Sequence, residues 1–278
     1  LTLSNVAPMT GYLLCTTNEF TDLDVSGYPD LQNLGVDQNQ LTSLDVSNNT
    51  ELSRLSCSQN QLASLDVTNN TALTELFCHS NQLTSLDVSN NIALVNLDCW
   101  WNQLTALDVT KNTALGSLNC SGNELTALDV SRNTYLSFLW CHGRAGEPSK
   151  LTSLNIRNGV TDGWSADGVP ALNVTQNPNL TCIEVLDPAW ATENFTSAKE
   201  NIDAGVTFSV ICGGTDLTKW HVATTGSDVS GNGTLASPLA TIQTGVNAAT
   251  ESDTVLVAAG TYKENIDFKG NNISVVGD

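Results

Sequence analysis

Apolar residues recur along this chain with two superimposed spacings. Within short stretches, such as the one around Leu55 and Cys57, every second residue is apolar, and this alternation predicts a strand with one buried face. The alternating stretches themselves return every 21 residues in the common frame LxxLxCxxNxLxxLDVxxN. A fixed period of about 20 to 29 residues is typical of a solenoid, in which each repeat is one coil stacked on the last. We therefore predict a mainly β fold built from 21-residue coils.

Identical positions of successive coils should form columns, because parallel strands lie about 4.8 Å apart. One inward column comprises Cys15, Val36, Cys57, Cys78, Cys99, Cys120 and Cys141. Parallel side chains at strand spacing do not converge on one another, so we expect buried, unreactive thiols that act as small apolar groups. A metal or iron–sulfur ladder is the alternative, although it needs three or four converging ligands. We assign Val185 to the same column, after an irregular stretch whose phasing is ambiguous.

Two columns of asparagine and one of aspartate mark the turns. These columns run from Asn18 to Asn123, from Asn49 to Asn133 and from Asp24 to Asp129, in 21-residue steps. A buried amide at a turn can bond the backbone groups that the bend leaves unpaired, and Arg144 stands where the first column should continue. For the outward aspartates we expect hydrogen bonds from their own turns, with a Ca²⁺-binding rail as the alternative.

The repeat frame resembles the leucine-rich repeat family, and more narrowly the cysteine-bearing, 21-residue form of internalin-like adhesins and secreted surface proteins of bacteria. The resemblance covers about residues 13–185 and implies a leucine-rich-repeat solenoid at 1–185 with a closing cap at 186–214. Cys182 and Cys212 fall off the 21-residue register, and the resemblance implies that they form a disulfide in this cap. A disulfide implies an oxidising compartment, so we expect a secreted, extracellular protein at a bacterial cell surface.

The composition changes after the cap. Residues 215–278 resemble the beginning of a right-handed parallel β-helix, the architecture of pectate lyases, in the phrases HVATTGSD, SPLATIQTGVNAA, DTVLVAAGTY and NISVVG. In that family the metal-binding and catalytic residues lie on later coils, so no catalytic residue is carried over, and we expect an incomplete domain that continues in the natural protein. Whether the whole protein is an enzyme stays open.

Secondary structure in this second region is predicted from its apolar runs and turn residues. A helix is predicted to start with Ser237 as N-cap and Pro238 at its first position. The predicted strands are 220–224, 254–258, 264–266 and 273–276.

Charge and motifs exclude several function classes. The formal net charge is −19, and such a surface repels nucleic-acid phosphates and anionic lipids. No apolar run is long enough for a transmembrane helix, so no membrane insertion is expected. The sequence has no GxSxG, HExxH or phosphate-binding glycine loop, and it predicts no cofactor.

Outward positions of the strands vary between coils, and several carry rings. The candidate ligand-binding residues are Phe77, His79, Asp98, Trp100, Phe138, Trp140 and His142. Rings in water beside carboxylates and amides suit contact with a sugar or a protein. The alternative is that they are scattered surface residues or are covered by a loop or a second subunit.

The sequence therefore favours a secreted or cell-surface binding and adhesion protein that recognises a glycan or a protein through the strand face. One alternative is an accessory region of a polysaccharide lyase or hydrolase whose catalytic β-helix coils lie beyond residue 278. A second is a structural spacer or a filament subunit that assembles with itself.

Overall fold

A computed structural model of the chain describes residues 11–144, 146–159, 165–166, 169–212, 219–250, 253–268 and 272–277. The strands are β1 (Gly11–Leu14), β2 (Leu31–Gly35), β3 (Arg54–Ser56), β4 (Glu75–Phe77), β5 (Asn96–Asp98), β6 (Ser117–Asn119), β7 (Ala127–Asp129), β8 (Phe138–Trp140), β9 (Ser153–Asn155), β10 (Ser165–Ala166), β11 (Val169–Pro170), β12 (Leu172–Asn173), β13 (Cys182–Glu184), β14 (Thr207–Ser209), β15 (Lys219–Val222), β16 (Thr254–Val257) and β17 (Ser274–Gly277). The helices are α1 (Pro188–Asn194) and α2 (Ile242–Ala248), with a 3₁₀ turn at Ser197–Lys199.

The fold is the predicted mainly β solenoid. Eight parallel strands form one sheet in the order β1-β2-β3-β4-β5-β6-β8-β12, and a second sheet, in the order β14-β13-β9-β7, is formed by strands of the later coils and the cap. Leu55 pairs with Leu76 and Leu76 with Leu97, so each coil lies in register on the one before it. The 21-residue period is thereby confirmed as the length of one coil.

Each coil contributes the same buried side chains to one continuous core. In the coil that begins at Leu52, the residues Leu55, Cys57, Leu62 and Val67 have no accessible surface. Burial of a leucine or valine side chain contributes about 1.5–3 kcal/mol, which offsets the ordering of a short chain segment. Stability therefore comes from stacking, since no coil encloses a core alone.

The cysteine column is buried as predicted, except at its first member. Cys57, Cys78 and Cys99 have no accessible surface, and burial raises the pKa of all three thiols well above its usual value. Cys15 is partly exposed. Val36 fills the gap in the column with full burial, which shows that a small apolar group suffices there.

Both asparagine columns join neighbouring coils, as predicted. Asn60 donates from Nδ2 to the Val36 carbonyl at 2.9 Å and to the Cys57 carbonyl at 3.1 Å, and its Oδ1 accepts the Leu41 N–H at 3.0 Å. In the second column, Asn70 donates to the carbonyl oxygens of Val46 and Asn49. The amides thus bond the backbone groups that each turn leaves unpaired.

The irregular stretch after Cys141 has a phasing different from the one predicted. Val174, and not Val185, continues the cysteine column, because Leu172 pairs with Leu139 in the first sheet and Cys141 N–H bonds the carbonyl of Asn173. Val185 follows β13 in the second sheet. The coil between Cys141 and Val174 is 33 residues long in place of 21, which moves the later residues out of register.

The asparagine column likewise resumes at Asn177, beyond the break at Arg144. The Asn177 amide donates to the carbonyl oxygens of Cys141 and Val174, as Asn60 does in its own coil. The longer coil therefore keeps the turn of the regular repeat once the chain returns to the first sheet.

The C-terminal cap is closed by the implied disulfide. Cys182 and Cys212 are bonded, with their Cα atoms 5.7 Å apart. Asp187 caps α1 by accepting the N–H groups of Ala189 and Trp190, and Phe195 packs its ring into the core. Strand β14 pairs with β13, so the cap covers the last coil of the second sheet.

The second unit is a three-stranded parallel sheet, β15-β16-β17, with α2 packed against it. The predicted helix start was wrong: Thr241 is the N-cap, and Leu239 pairs with Val222 in extended conformation. Residues 264–266 are not a strand, because Glu264 instead accepts the N–H groups at the start of α2. The predicted boundary at 214/215 lies outside the described residues, as do residues 1–10.

A buried arginine connects the two units. Arg157 is 4% exposed, and its guanidinium donates to the carbonyl oxygens of Val229 at 2.7 Å and Gly231 at 3.1 Å. Its Nε atom lies 3.6 Å from the carboxylate of Glu184.

In the described part of the chain, no helix has the length and apolar character needed to cross a bilayer.

Candidate functional site

The candidate residues lie on the outer side of the first sheet, which we call the strand face. They form two groups. The first aromatic cluster comprises Phe77, His79, Trp100 and Trp101, and the second comprises Phe138, Trp140 and His142. Strand β6 separates them and presents only the small polar residues Ser117 and Asn119. From β4 to β8 there are three strand spacings, or about 14 Å.

Rings of the first aromatic cluster stack across adjacent coils. His79 and Trp100 have ring centroids 4.4 Å apart and planes within 14°, and Trp101 meets Trp100 edge-on at 4.6 Å. Stacked and edge-to-face pairs contribute about 0.5–1.5 kcal/mol beyond their buried area. These three rings therefore form a preformed apolar surface, since they already hold one another in place.

Trp101 was missed by the sequence analysis. It occupies the turn position where other coils carry Gln38, Gln59 or Ser80, all with left-handed backbone, and it has φ of 53°. The next coil has Gly122 there, and a Cβ at that glycine would lie 2.4 Å from the Trp101 ring. The sequence did contain a signal for Trp101. At a turn position that is polar in the preceding coils, a tryptophan is followed one coil later by glycine.

In the second aromatic cluster, three rings come from one strand and the turn after it. Phe138 and Trp140 have centroids 4.8 Å apart, and His142 lies 5.9 Å from Trp140. The rings of both clusters are partly buried, whereas the sequence analysis placed them in water. They cover one another, and Trp101 is the most open at 41% exposure.

Two arginines lie over rings of the first aromatic cluster. Arg54 places its guanidinium 4.4 Å from the Phe77 centroid and also pairs with Glu75, while Arg144 lies 4.6 Å from the Trp101 centroid. Sequence reasoning did not find these cation–π contacts, because they depend on side-chain conformation across coils. They show that the rings of this face accept guanidinium groups.

Asp98 is the carboxylate at the centre of the first cluster. It lies in register between Phe77 on β4 and Asn119 on β6. Burial raises the pKa of Asp98 to about 6, and hydrogen bonds from the backbone and side chain of Trp100 offset part of this rise. Burial also lowers the pKa of His79, which therefore stays uncharged at neutral pH.

Two clefts border the turn at 144–148, and they differ in chemistry. The larger, of about 670 Å³, lies between the turn at 144–148 and the cap, and its lining residues include no aromatic side chain. The smaller, of about 360 Å³, borders Trp101 and is lined by Arg144, Glu147, Lys150 and Glu124. Lys150 pairs with Glu124 at 3.0 Å, so much of its charge is already compensated. The aromatic surface is thus the better recognition element.

The outward aspartates act as predicted in their turns. Each accepts an N–H from two residues later, for example Asp66 from Thr68 at 2.9 Å, and such bonds hold the pKa of Asp66 below its usual value. Across the described ranges, no three histidine, cysteine, aspartate or glutamate side chains are grouped as metal ligands. The Asx-turn interpretation of this column is confirmed.

Three carboxylates of the second unit, those of Asp228, Asp253 and Glu264, accept hydrogen bonds from its backbone. Asp228 accepts the N–H groups of Ala240 and Thr241, and Glu264 accepts those of Ile242 and Gln243. Asp253 accepts the indole N–H of Trp220. These hydrogen bonds give the carboxylates structural roles within the unit.

The chain is similar to several solved leucine-rich-repeat structures. The functional domain of InlJ from Listeria monocytogenes, which includes a cysteine ladder, is 24% identical with a TM-score of 0.45, over 92% of this chain and 61% of that one. The LRR protein LIC12759 from Leptospira interrogans is 22% identical with a TM-score of 0.47, over 67% of this chain and 53% of that one. The internalin InlF from Listeria monocytogenes is 15% identical with a TM-score of 0.42, over 94% and 65%.

The chain therefore spans less than two thirds of each of these structures. No protein-family model and no curated protein matches it. At these identities and TM-scores the likeness assigns no function, and the solenoid fold is established by the chain's own strand register.

Proposed function

We propose that this chain is an extracellular binding module that recognises a protein through the strand face. The observation that carries the proposal is the pair of aromatic clusters, in which Trp100 and Trp140 occupy outward positions of the first sheet and Trp101, in the turn after β5, packs against Trp100. Tryptophan is enriched among the residues that dominate protein–protein affinity. The rings are held by mutual packing, so little side-chain freedom is lost on binding.

Location outside the cell is part of the proposal and is supported by the Cys182–Cys212 disulfide. Such bonds persist in oxidising compartments and are rare where thiols are kept reduced. The buried thiols of Cys57, Cys78 and Cys99 are compatible with that environment, because they are shielded from oxidants.

The test uses peptides selected on the wild-type chain from a displayed library of random peptides. We expect Trp100→Ala with Trp140→Ala to weaken binding of the selected peptides by about tenfold to a hundredfold, since loss of a central aromatic costs about 2 kcal/mol or more. Tyr135→Ala is the matched control, because Tyr135 is 74% exposed but lies off the strand face.

Equal binding by the double variant and the control would refute the proposal. A glycan array is the parallel measurement: strong, tryptophan-dependent binding of a glycan, with no peptide selected, would assign the face to carbohydrate and not to protein.

A further inference from the structure

Asp98 carries a charge on the strand face that the chain does not neutralise. Its Oδ1 atom is buried and has no hydrogen-bond partner, although the residue as a whole stays partly accessible. None of the four ion pairs found among the described residues includes Asp98. A carboxylate removed from water without a counter-charge is costly, so the site favours a cation supplied from outside.

The nearest charged groups of the face are already engaged. The Arg54 guanidinium pairs with Glu75 and lies over Phe77, and His79 is uncharged at neutral pH. Asp37 accepts the hydroxyl of Ser56 at 2.7 Å and the N–H of Ser58 at 2.8 Å. From β2 to β5 the outward positions thus carry three carboxylates and one guanidinium, an excess of negative charge.

Aromatic faces complete a site for a cation. Trp100 follows Asp98 by two residues, bonds to its carboxylate, and stacks on His79. A cation over an indole gains about 0.5–2 kcal/mol, the larger value when water is excluded. The Arg54–Phe77 and Arg144–Trp101 contacts show this chemistry twice within the chain itself.

We propose that the partner is a protein with a basic segment, and that one arginine or lysine of this segment docks on the Asp98 carboxylate and against the neighbouring Trp100 indole. This inference rests on the proposed function and names the chemistry of its partner. The net charge of −19 would attract a basic partner from a distance. Neutral and acidic sugars lack the positive charge that Asp98 requires.

The probe is an N-acetylated tetra-arginine amide, titrated by calorimetry in about 0.05 M salt so that screening stays weak. Its control is tetra-citrulline amide, which keeps the shape of arginine but has no charge. We expect Asp98→Asn and Trp100→Ala each to weaken tetra-arginine binding by about tenfold, and tetra-citrulline to bind at least tenfold more weakly.

Asp87→Asn is the matched control variant. It removes the same charge from the same acidic chain, but Asp87 lies in an exposed turn off the strand face, where asparagine keeps the turn hydrogen bond. We expect it to change binding by less than about twofold. Equal weakening by Asp87→Asn and Asp98→Asn would mean that only the overall charge is sensed, and would overturn the site.

Other outcomes separate this inference from the proposed function. If library peptides depend on Trp100 and Trp140 while Asp98→Asn binds them and tetra-arginine unchanged, the binding face stands and the cation site falls. If neither class of peptide responds to any of these variants, both fall. Selective binding of a glucosamine tetramer over tetra-arginine and tetra-lysine amides would refute a protein partner.

Discussion

Asn81, a buried member of the first asparagine column, offers a quantitative test of how the coils are held together. Its Nδ2 donates to the carbonyl oxygens of Cys57 at 3.0 Å, Cys78 at 3.1 Å and His79 at 3.3 Å, and its Oδ1 accepts the N–H of Leu62 at 3.0 Å. Within the described chain, Leu62 N–H has no other partner. Each carbonyl, by contrast, keeps a second donor, which is Asn60 for Cys57, Asn102 for Cys78 and the Gln59 N–H for His79.

The cost of Asn81→Ala follows from these contacts. An orphaned buried N–H costs about 1–3 kcal/mol, and the loss of each of the two Nδ2–H donors, whose acceptors all keep another partner, costs about 0.5–1.5 kcal/mol. We therefore expect Asn81→Ala to lower the free energy of unfolding by about 2–6 kcal/mol. Equilibrium urea denaturation followed by circular dichroism gives this value, provided that the slope m is unchanged.

Two neighbouring asparagines supply graded controls. Asn91, in the second column, donates to the carbonyl oxygens of Val67 and Asn70, and its Oδ1 has no partner, so Asn91→Ala should cost about 1–3 kcal/mol. Asn90 is exposed and makes one bond of 3.2 Å, so Asn90→Ala should stay within about 0.5 kcal/mol of wild type. The reasoning is refuted if Asn81→Ala costs no more than Asn90→Ala.

Three further outcomes are expected. Titration of the native protein with Ellman's reagent should modify Cys15 first and the five buried column thiols only on unfolding; comparable rates would contradict their burial. Since burial raises the folded pKa of Asp98 to about 6, its proton is held more tightly in the folded chain, and stability falls as pH rises from about 4 to 6. Asp98→Asn should flatten that fall and be about 1–2 kcal/mol more stable at pH 7, whereas parallel stability curves would contradict this. Arg157→Met should raise amide exchange at residues 229–231 while exposed Arg132→Met does not; unchanged exchange would mean that the arginine does not hold the units together.

Most of the solenoid could be predicted because its period constrains every coil in the same way. Once Leu55 and Cys57 point inward, the 21-residue step fixes the side of each equivalent residue, and a one-residue slip would expose the whole core. The turn asparagines and aspartates were predictable for the same reason, since one local hydrogen-bond solution is repeated.

The prediction of the phasing after Cys141 was wrong because one segment fits both the cysteine-bearing half and the LDV half of the repeat. LTSLNI at 151–156 matches the cysteine half in its spacing, but it is closer to LTSLDV at 41–46, which belongs to the other side of the coil. The structure places Leu154 beside Leu128 of β7, in the second sheet. Comparison of residue identities, and not only of apolar spacing, would have assigned residues 151–156 to the second sheet.

The ring contacts of the strand face could not be derived from periodicity. The period places Trp100 outward, but the stacking on His79 and the position of Trp101 depend on rotamers and on space left by a glycine one coil away. Arg144 is a related case. It stands where the first asparagine column should continue, and its guanidinium instead contacts Trp101, two coils earlier in the chain. Such features arise where the repeat is broken, and there sequence patterns lose their predictive power.

The proposed role of Asp98 can be separated from a purely structural one. A chain that only needed a stable coil would place asparagine there, as it places Asn119 in the next coil, because burial of the carboxylate costs stability at neutral pH. Residues that oppose stability in this way are concentrated at functional sites. If Asp98→Asn gains stability and loses tetra-arginine binding, the buried carboxylate lowers stability but is needed for binding. If it gains stability and binds as before, Asp98 is only a defect that the asparagine columns and the leucine core can tolerate.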